Sequence, residues 1–180
     1  MKRFVATALL LLSACIFHPI VSRGQDEGAV VTISASARSA AMKGYGIIIC
    51  LTNLETGEEF ESHILGAMSK NAVIEDLPAG HYIVTFAEIY LGDMSWSNES
   101  AELQDYFGEI RIDPGRIYYL GTYESTVKGG LRDRKIIFSF KDLDIPKKII
   151  KYLDNQGYRT DDIIIRSPLE DSFVFEQITG

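Results

Sequence analysis

Five carboxylates, Asp93, Glu99, Glu102, Asp105 and Glu109, crowd into one stretch of this 180-residue chain. Two carboxylates brought together can hydrolyse a glycoside, and several can hold Ca²⁺. Their spacing lacks the alternate-position oxygen ligands and the glycine of an EF-hand loop, so a solvated acidic surface is the competing expectation. The same stretch carries Tyr90, Trp96 and Tyr106, and Trp96 is the only tryptophan. Exposed on a loop, these rings could stack on a sugar or anchor a protein partner. Folded back, Trp96 would instead cap one end of the core. Tyr90, Trp96 and Tyr106 are therefore the candidate ligand-binding residues.

Other chemistry is sparse. There are three histidines, His18, His63 and His81, and none forms a close pair, so a zinc site would have to borrow carboxylates from distant strands. The chain has no Gly-x-Ser-x-Gly elbow, no Ser-x-x-Lys nucleophile motif worth pursuing, and no glycine-rich loop before a helix. Of the two cysteines, Cys50 sits in the apolar run Ile47-Ile48-Ile49-Cys50-Leu51. With no neighbouring cation to lower its pKa, it reads as a small buried hydrophobe. No catalytic residue, metal ligand or cofactor is assigned.

The other cysteine lies in a different context. Lys2 and Arg3 precede the apolar run Phe4–Leu12, followed by Ser13-Ala14-Cys15: a basic start, an apolar stretch and small residues, as in an export signal. Leu12-Ser13-Ala14-Cys15 resembles the lipobox of bacterial lipoproteins, which implies lipidation of Cys15 and anchorage to a membrane. Ile16 and Phe17 continue the apolar run, which departs from that pattern. Cleavage after Ser22-Arg23-Gly24 and an uncleaved anchor over Phe4–Val21 are the alternatives, the last interrupted by His18 and Pro19. Each places the body of the protein outside the cytoplasm, in the cell envelope or secreted.

Residues 1–14 contain two of the 18 basic residues and none of the 25 acidic ones, so the chain's formal −7 becomes −9 without them. Such a balance argues against nucleic acid and against electrostatic attraction to an anionic bilayer.

The elements that must position these residues are mostly strands. Val31, Ile33, Ala35 and Ala37 alternate with Thr32, Ser34 and Ser36, the pattern of a half-buried strand. Gly46–Asn53 is apolar on both faces and is expected to be central. Asn53–Glu58 has turn chemistry, with Gly57 suited to positive φ, and Glu59–Ile64 can return as a hairpin. Ser39–Gly44 reads as a loop and Ala72–Leu77 as a short strand. Pro78 and Gly80 form a turn, with Gly80 expected at positive φ, and a long strand follows from His81. A second turn, Asp113-Pro114-Gly115-Arg116, leads into Ile117–Tyr123, and Lys128-Gly129-Gly130 turns toward Ile136, Phe138 and Phe140. Loops are expected between Ile89 and Ile110.

After residue 140 the pattern changes. Asp144 can cap a helix with Pro146 in its first turn and Gly157 at its end, placing Ile145, Ile149, Ile150 and Leu153 on one face. Ile163–Ile165 and Phe173–Phe175 read as short strands.

Leu77-Pro78-Ala79-Gly80-His81-Tyr82 is similar to the turn and strand of prealbumin-like, carboxypeptidase-regulatory-type β-sandwich domains of exported bacterial proteins. Pro114-Gly115-Arg116-Ile117-Tyr118-Tyr119 resembles the start of a later strand in small envelope lipoproteins of unknown function. The likeness spans about Val30–Phe140 and implies an extracytoplasmic, non-catalytic sandwich.

The expected fold is thus mainly β: an antiparallel sandwich, prealbumin-like or immunoglobulin-like, with a C-terminal helix. Residues 1–24 are the export signal, 25–140 the sandwich, and 141–180 the helix and short strands packed on it. The expected role is a non-catalytic envelope module, membrane-held through Cys15, that binds an envelope protein or glycan through its loops. A carbohydrate-binding module and an extracellular hydrolase using the acidic stretch are the alternatives.

Overall fold

The computed structural model describes residues 28–37, 45–66, 70–91, 94–99, 101–129, 135–170 and 172–176. The leader with Cys15, the expected loop Ser39–Gly44, and Asp93 lie outside the described residues.

Two sheets of mostly antiparallel strands face each other. The five-stranded sheet is built on β6 (Gly80–Leu91), which pairs along one edge with β2 (Tyr45–Asn53). Strand β3 (Glu59–Glu61) lies beyond β2. Along its other edge β6 has two short partners, β7 (Met94–Asn98) and β8 (Ile110–Ile112). The seven-stranded sheet is built on β9 (Ile117–Lys128), flanked on one edge by β1 (Ala29–Ala37), β5 (Asn71–Leu77) and β4 (His63–Ile64). Its other edge takes β10 (Lys135–Asp142) and β11 (Ile163–Ile165), and β12 (Ser172–Glu176) pairs outside β10. Two pairings depart from a purely antiparallel sandwich: β1 and β11 both run parallel to β9.

The expected hairpin over Glu59–Ile64 is broken at Ser62. Before it, β3 pairs with β2 in one sheet; after it, β4 pairs with β5 in the other. Ser62 is buried at this corner, where its Oγ accepts from the Ile49 amide (2.9 Å) and its own amide donates to the Ile49 carbonyl (2.8 Å). Those bonds let one strand switch sheets without stranding a buried amide.

Both proline turns are braced by a tyrosine. The Tyr82 hydroxyl donates to the Pro78 carbonyl (2.9 Å), and the Tyr118 hydroxyl accepts from the Asp113 amide (2.8 Å). Gly115 takes the positive φ that its turn requires (67°). Gly80 does not, contrary to expectation; the constraint there is space, since a Cβ would lie 2.7 Å from Asn53 Nδ2. The left-handed residue nearby is Asp76 (φ 57°), within β5 where its register with β1 shifts.

The main core lies between the sheets. Val31, Ile33, Ile47, Ile49, Leu51, Val84 and Ile89 meet there, with a cluster of rings around Tyr123. Tyr123 and Phe138 stack at 4.4 Å, and burial drives the Tyr123 hydroxyl far above its ordinary pKa. Stacked and edge-on pairs of this kind add attraction beyond their buried area.

The described residues of the stretch expected as loops between Ile89 and Ile110 form mostly regular elements. Strand β6 continues to Leu91, β7 follows, and Ala101–Phe107 form helix α1. Leu103, Tyr106 and Phe107 share one face of α1 at helical spacing and are buried in the main core.

Helix α2 (Lys147–Asn155) behaves differently. Pro146, rather than Asp144, is its capping residue, with no side-chain cap. Gly157 (φ 84°) ends it as expected, where the Tyr158 amide donates to the Leu153 carbonyl. Ile149 and Leu153 bury themselves on Val30, Val73, Ile117 and Tyr119, on the outer face of the seven-stranded sheet. This second core explains why β1 is buried on both faces rather than half-buried. Its outward Thr32 and Ser34 are also covered, bonded to the Tyr118 carbonyl and to Asn71. Every polar group buried there has found a partner.

Candidate functional site

The three aromatic residues singled out in the sequence part company. Tyr106 is fully buried in the ring cluster, 5.0 Å from Phe107 and 5.8 Å from Phe173 between centroids. Trp96 is 2% exposed, inward from β7, while Ser95 and Ser97 point out. Its Nε1 has no hydrogen-bond partner, so packing alone holds the indole. Neither ring is presented to a ligand. The reason lies in the β7 alternation and the α1 periodicity, which turn both residues toward the core. Of the three, only Tyr90 faces outward.

The acidic residues disperse too. Glu99, Glu102 and Asp105 are exposed, and Glu109 is hydrogen-bonded to His81 Nδ1 across the β6–β8 pair. Among the described residues no three His, Cys, Asp or Glu side chains converge as a metal site would require.

Tyr90 marks a different surface, the outer face of the five-stranded sheet. Alternation sends Ile47, Ile49, Leu51, Val84, Ala87 and Ile89 inward. It sends Ile48, Cys50 and Thr52 of β2, and Ile83, Thr85, Glu88 and Tyr90 of β6, the other way. A bulge on β6 opposite Cys50 and Leu51 puts Phe86 beside Cys50. Ile48, Ile83, Phe86 and Tyr90 are half-buried and belong to neither hydrophobic cluster, and among the described residues no helix covers them as α2 covers the opposite sheet. Glu59 and Glu61, both exposed on edge strand β3, add negative charge beside Glu88.

The polar groups on this face are mutually satisfied. Thr52 and Thr85 share a hydroxyl–hydroxyl bond of 2.7 Å, and the Tyr90 hydroxyl donates to Glu88. Burial, and then Glu88, push the Tyr90 pKa up to about 12. Burial and the charge of Glu59 push the Cys50 thiol up as well. It is therefore held protonated at neutral pH, a weak nucleophile. The face offers half-buried apolar side chains, fixed hydroxyls, and carboxylates both within it at Glu88 and along its β3 edge, which suits recognition of a complementary surface.

Sequence reasoning missed this surface because it is assembled from three strands. Its one local signal was the two-faced apolar run Gly46–Asn53: inward residues alone do not explain Ile48 and Cys50. It also missed a polar cluster at the other sheet, where the Tyr152 hydroxyl on α2 donates to Glu75 (2.9 Å) beside His63. That cluster ties α2 to β5.

The fold defines a mainly β protein of two facing sheets with one helix in the core and one on its outer surface. The chain matches no family model, no curated protein and no solved structure.

Proposed function

We propose that this chain is a non-catalytic, exported envelope protein, held at a membrane through a lipid on Cys15. It works as a binding module whose recognition surface is the outer face of the five-stranded sheet. The observation that carries the reading is the row of half-buried apolar residues Ile48, Ile83, Phe86 and Tyr90 on that outer face, with Glu88 among them and Glu59 and Glu61 exposed on the neighbouring edge strand. Apolar side chains left partly open to solvent among charged ones mark interaction sites, and the carboxylates select a partner segment with basic side chains. A repeated acidic patch disfavours a second copy of the same face as the partner. The two proline turns, similar to those of prealbumin-like exported domains, fit the same extracytoplasmic role.

Carbodiimide footprinting of carboxylates tests this reading. Glu59 and Glu61 should label more weakly in native envelopes than in the purified protein, and Ile83→Glu should restore labelling in the envelope. Equal labelling in both settings would remove the docking role. In parallel, palmitate label should enter the wild type and not Cys15→Ala; label persisting in that variant would overturn the lipid anchor.

A further inference from the structure

A second surface, at another edge of the sandwich, has the opposite charge. Strand β8 of one sheet and β11 of the other flank a shallow open depression lined by Arg111, Asp113, Tyr118, Ile164 and Arg166. Two guanidiniums in one hollow stand out on a chain with formal charge −7.

The strands explain why both arginines are there. Ile110 and Ile112 point into the core, which turns Arg111 between them out to solvent. Arg166 follows β11, its amide held by the Tyr119 carbonyl (2.8 Å), and its Nη2 donates to the Glu109 carbonyl (2.9 Å) just before β8. That bond staples the facing edges of the two sheets. It uses one of the five guanidinium N–H donors, and among the described residues Arg166 faces no carboxylate at ion-pair distance. Arg111 Nε lies 3.5 Å from Asp113 Oδ1, and both side chains are mostly exposed. Glu109 is engaged by His81, and Arg116 is paired with Asp162. Tyr118 accepts from the Asp113 amide, which leaves its own hydroxyl proton to give.

We infer that the hollow between β8 and β11 binds an oxyanion, a carboxylate or phosphate group, between Arg111 and Arg166, with the Tyr118 hydroxyl as a third donor. The guanidinium fork matches two oxygens of either group, and charge-assisted bonds of this type are the strong ones. Ile164 and the Tyr118 ring form an apolar wall for the body carrying the anion. Asp113 is its internal competitor, since an incoming oxyanion replaces it at Arg111. In so open a place affinity is modest, with a dissociation constant on the order of 1 mM for a bare ion.

The test is a titration of the ¹⁵N-arginine-labelled protein with inorganic phosphate and, separately, succinate, with ionic strength held constant by chloride. The Nε–Hε signals of Arg111 and Arg166 should shift and saturate. Arg111→Gln and Arg166→Gln should each weaken binding about tenfold or more, and Arg116→Gln should leave it unchanged. Saturation by phosphate alone or succinate alone identifies which oxyanion the site takes. Shifts that never saturate, or saturable binding indifferent to Arg111→Gln, would overturn the site. If Arg166→Gln unfolds the protein by losing the Glu109 staple, Arg111→Gln and Tyr118→Phe decide alone.

Discussion

Strands β6 and β9 each pair with one strand on one edge and with two in succession on the other, and a helix lies between those two in sequence. The chain leaves β6 through β7, makes α1 and returns as β8; it leaves β9 through β10, makes α2 and returns as β11. The two excursions end differently. Helix α1 puts Leu103, Tyr106 and Phe107 into the main core, whereas α2 lays Ile149 and Leu153 on the outside of its sheet. One helix completes the sandwich; the other covers it. A consequence is that the seven-stranded sheet is shielded on both faces around α2, and the five-stranded sheet keeps half-buried apolar residues on a face that no helix among the described residues covers. That asymmetry is the reason the proposed recognition surface is placed on the five-stranded side.

The contrast is sharpest in substitution. Tyr106→Ala should cost about 3–5 kcal/mol, because the surrounding rings cannot collapse into the space. That is a large part of a typical domain's stability, and it should appear as a lower urea midpoint for the whole protein. Leu153→Ala should cost less, about 2–3 kcal/mol, since the second core is small and can relax toward solvent. The near-ultraviolet signal of the Tyr123 and Phe138 rings should survive it. An equal effect of the two changes would erase the distinction between the helices.

The smallest effect concerns the outer face of the five-stranded sheet. The Tyr90 pKa is raised in the folded state to about 12, by burial and then by Glu88, so the unfolded chain releases this proton first, near the ordinary tyrosine value of about 10. Its contribution to stability is therefore present below pH ~10 and lost as pH rises through about 12. Denaturation midpoints between pH 9.5 and 12 should fall more steeply in the wild type than in Tyr90→Phe. Parallel curves would place Tyr90 in open solvent.

Much of this architecture could be read from local pattern. The strands β1, β2, β5, β6, β9, β10, β11 and β12, the turn at Gly115 and the end of α2 at Gly157 all announce themselves through alternation or backbone chemistry. What escaped depends on distant neighbours. Seven residues are too few for α1 to show a convincing period, and the polar run Ser95-Trp96-Ser97-Asn98 resembles a loop until its alternation is set beside β6. The sheet switch at Ser62 and the parallel pairing of β1 with β9 join residues far apart in sequence, and no local pattern encodes them. Gly80 is glycine because of Asn53 rather than its own φ. The outer face of the five-stranded sheet and the two-arginine hollow were hidden for the same reason, since strands from separate parts of the chain assemble each.

Native-state amide hydrogen exchange tests the division of labour between the helices most directly. Local openings expose weakly held units at lower free energy than global unfolding. The amides of Tyr106, Phe107 and Gly108 should exchange only as fast as the most protected residues of β9, and those of Ile150–Leu153 measurably faster, through detachment of α2. Equal protection in the two helices, or faster exchange in α1, would contradict the account.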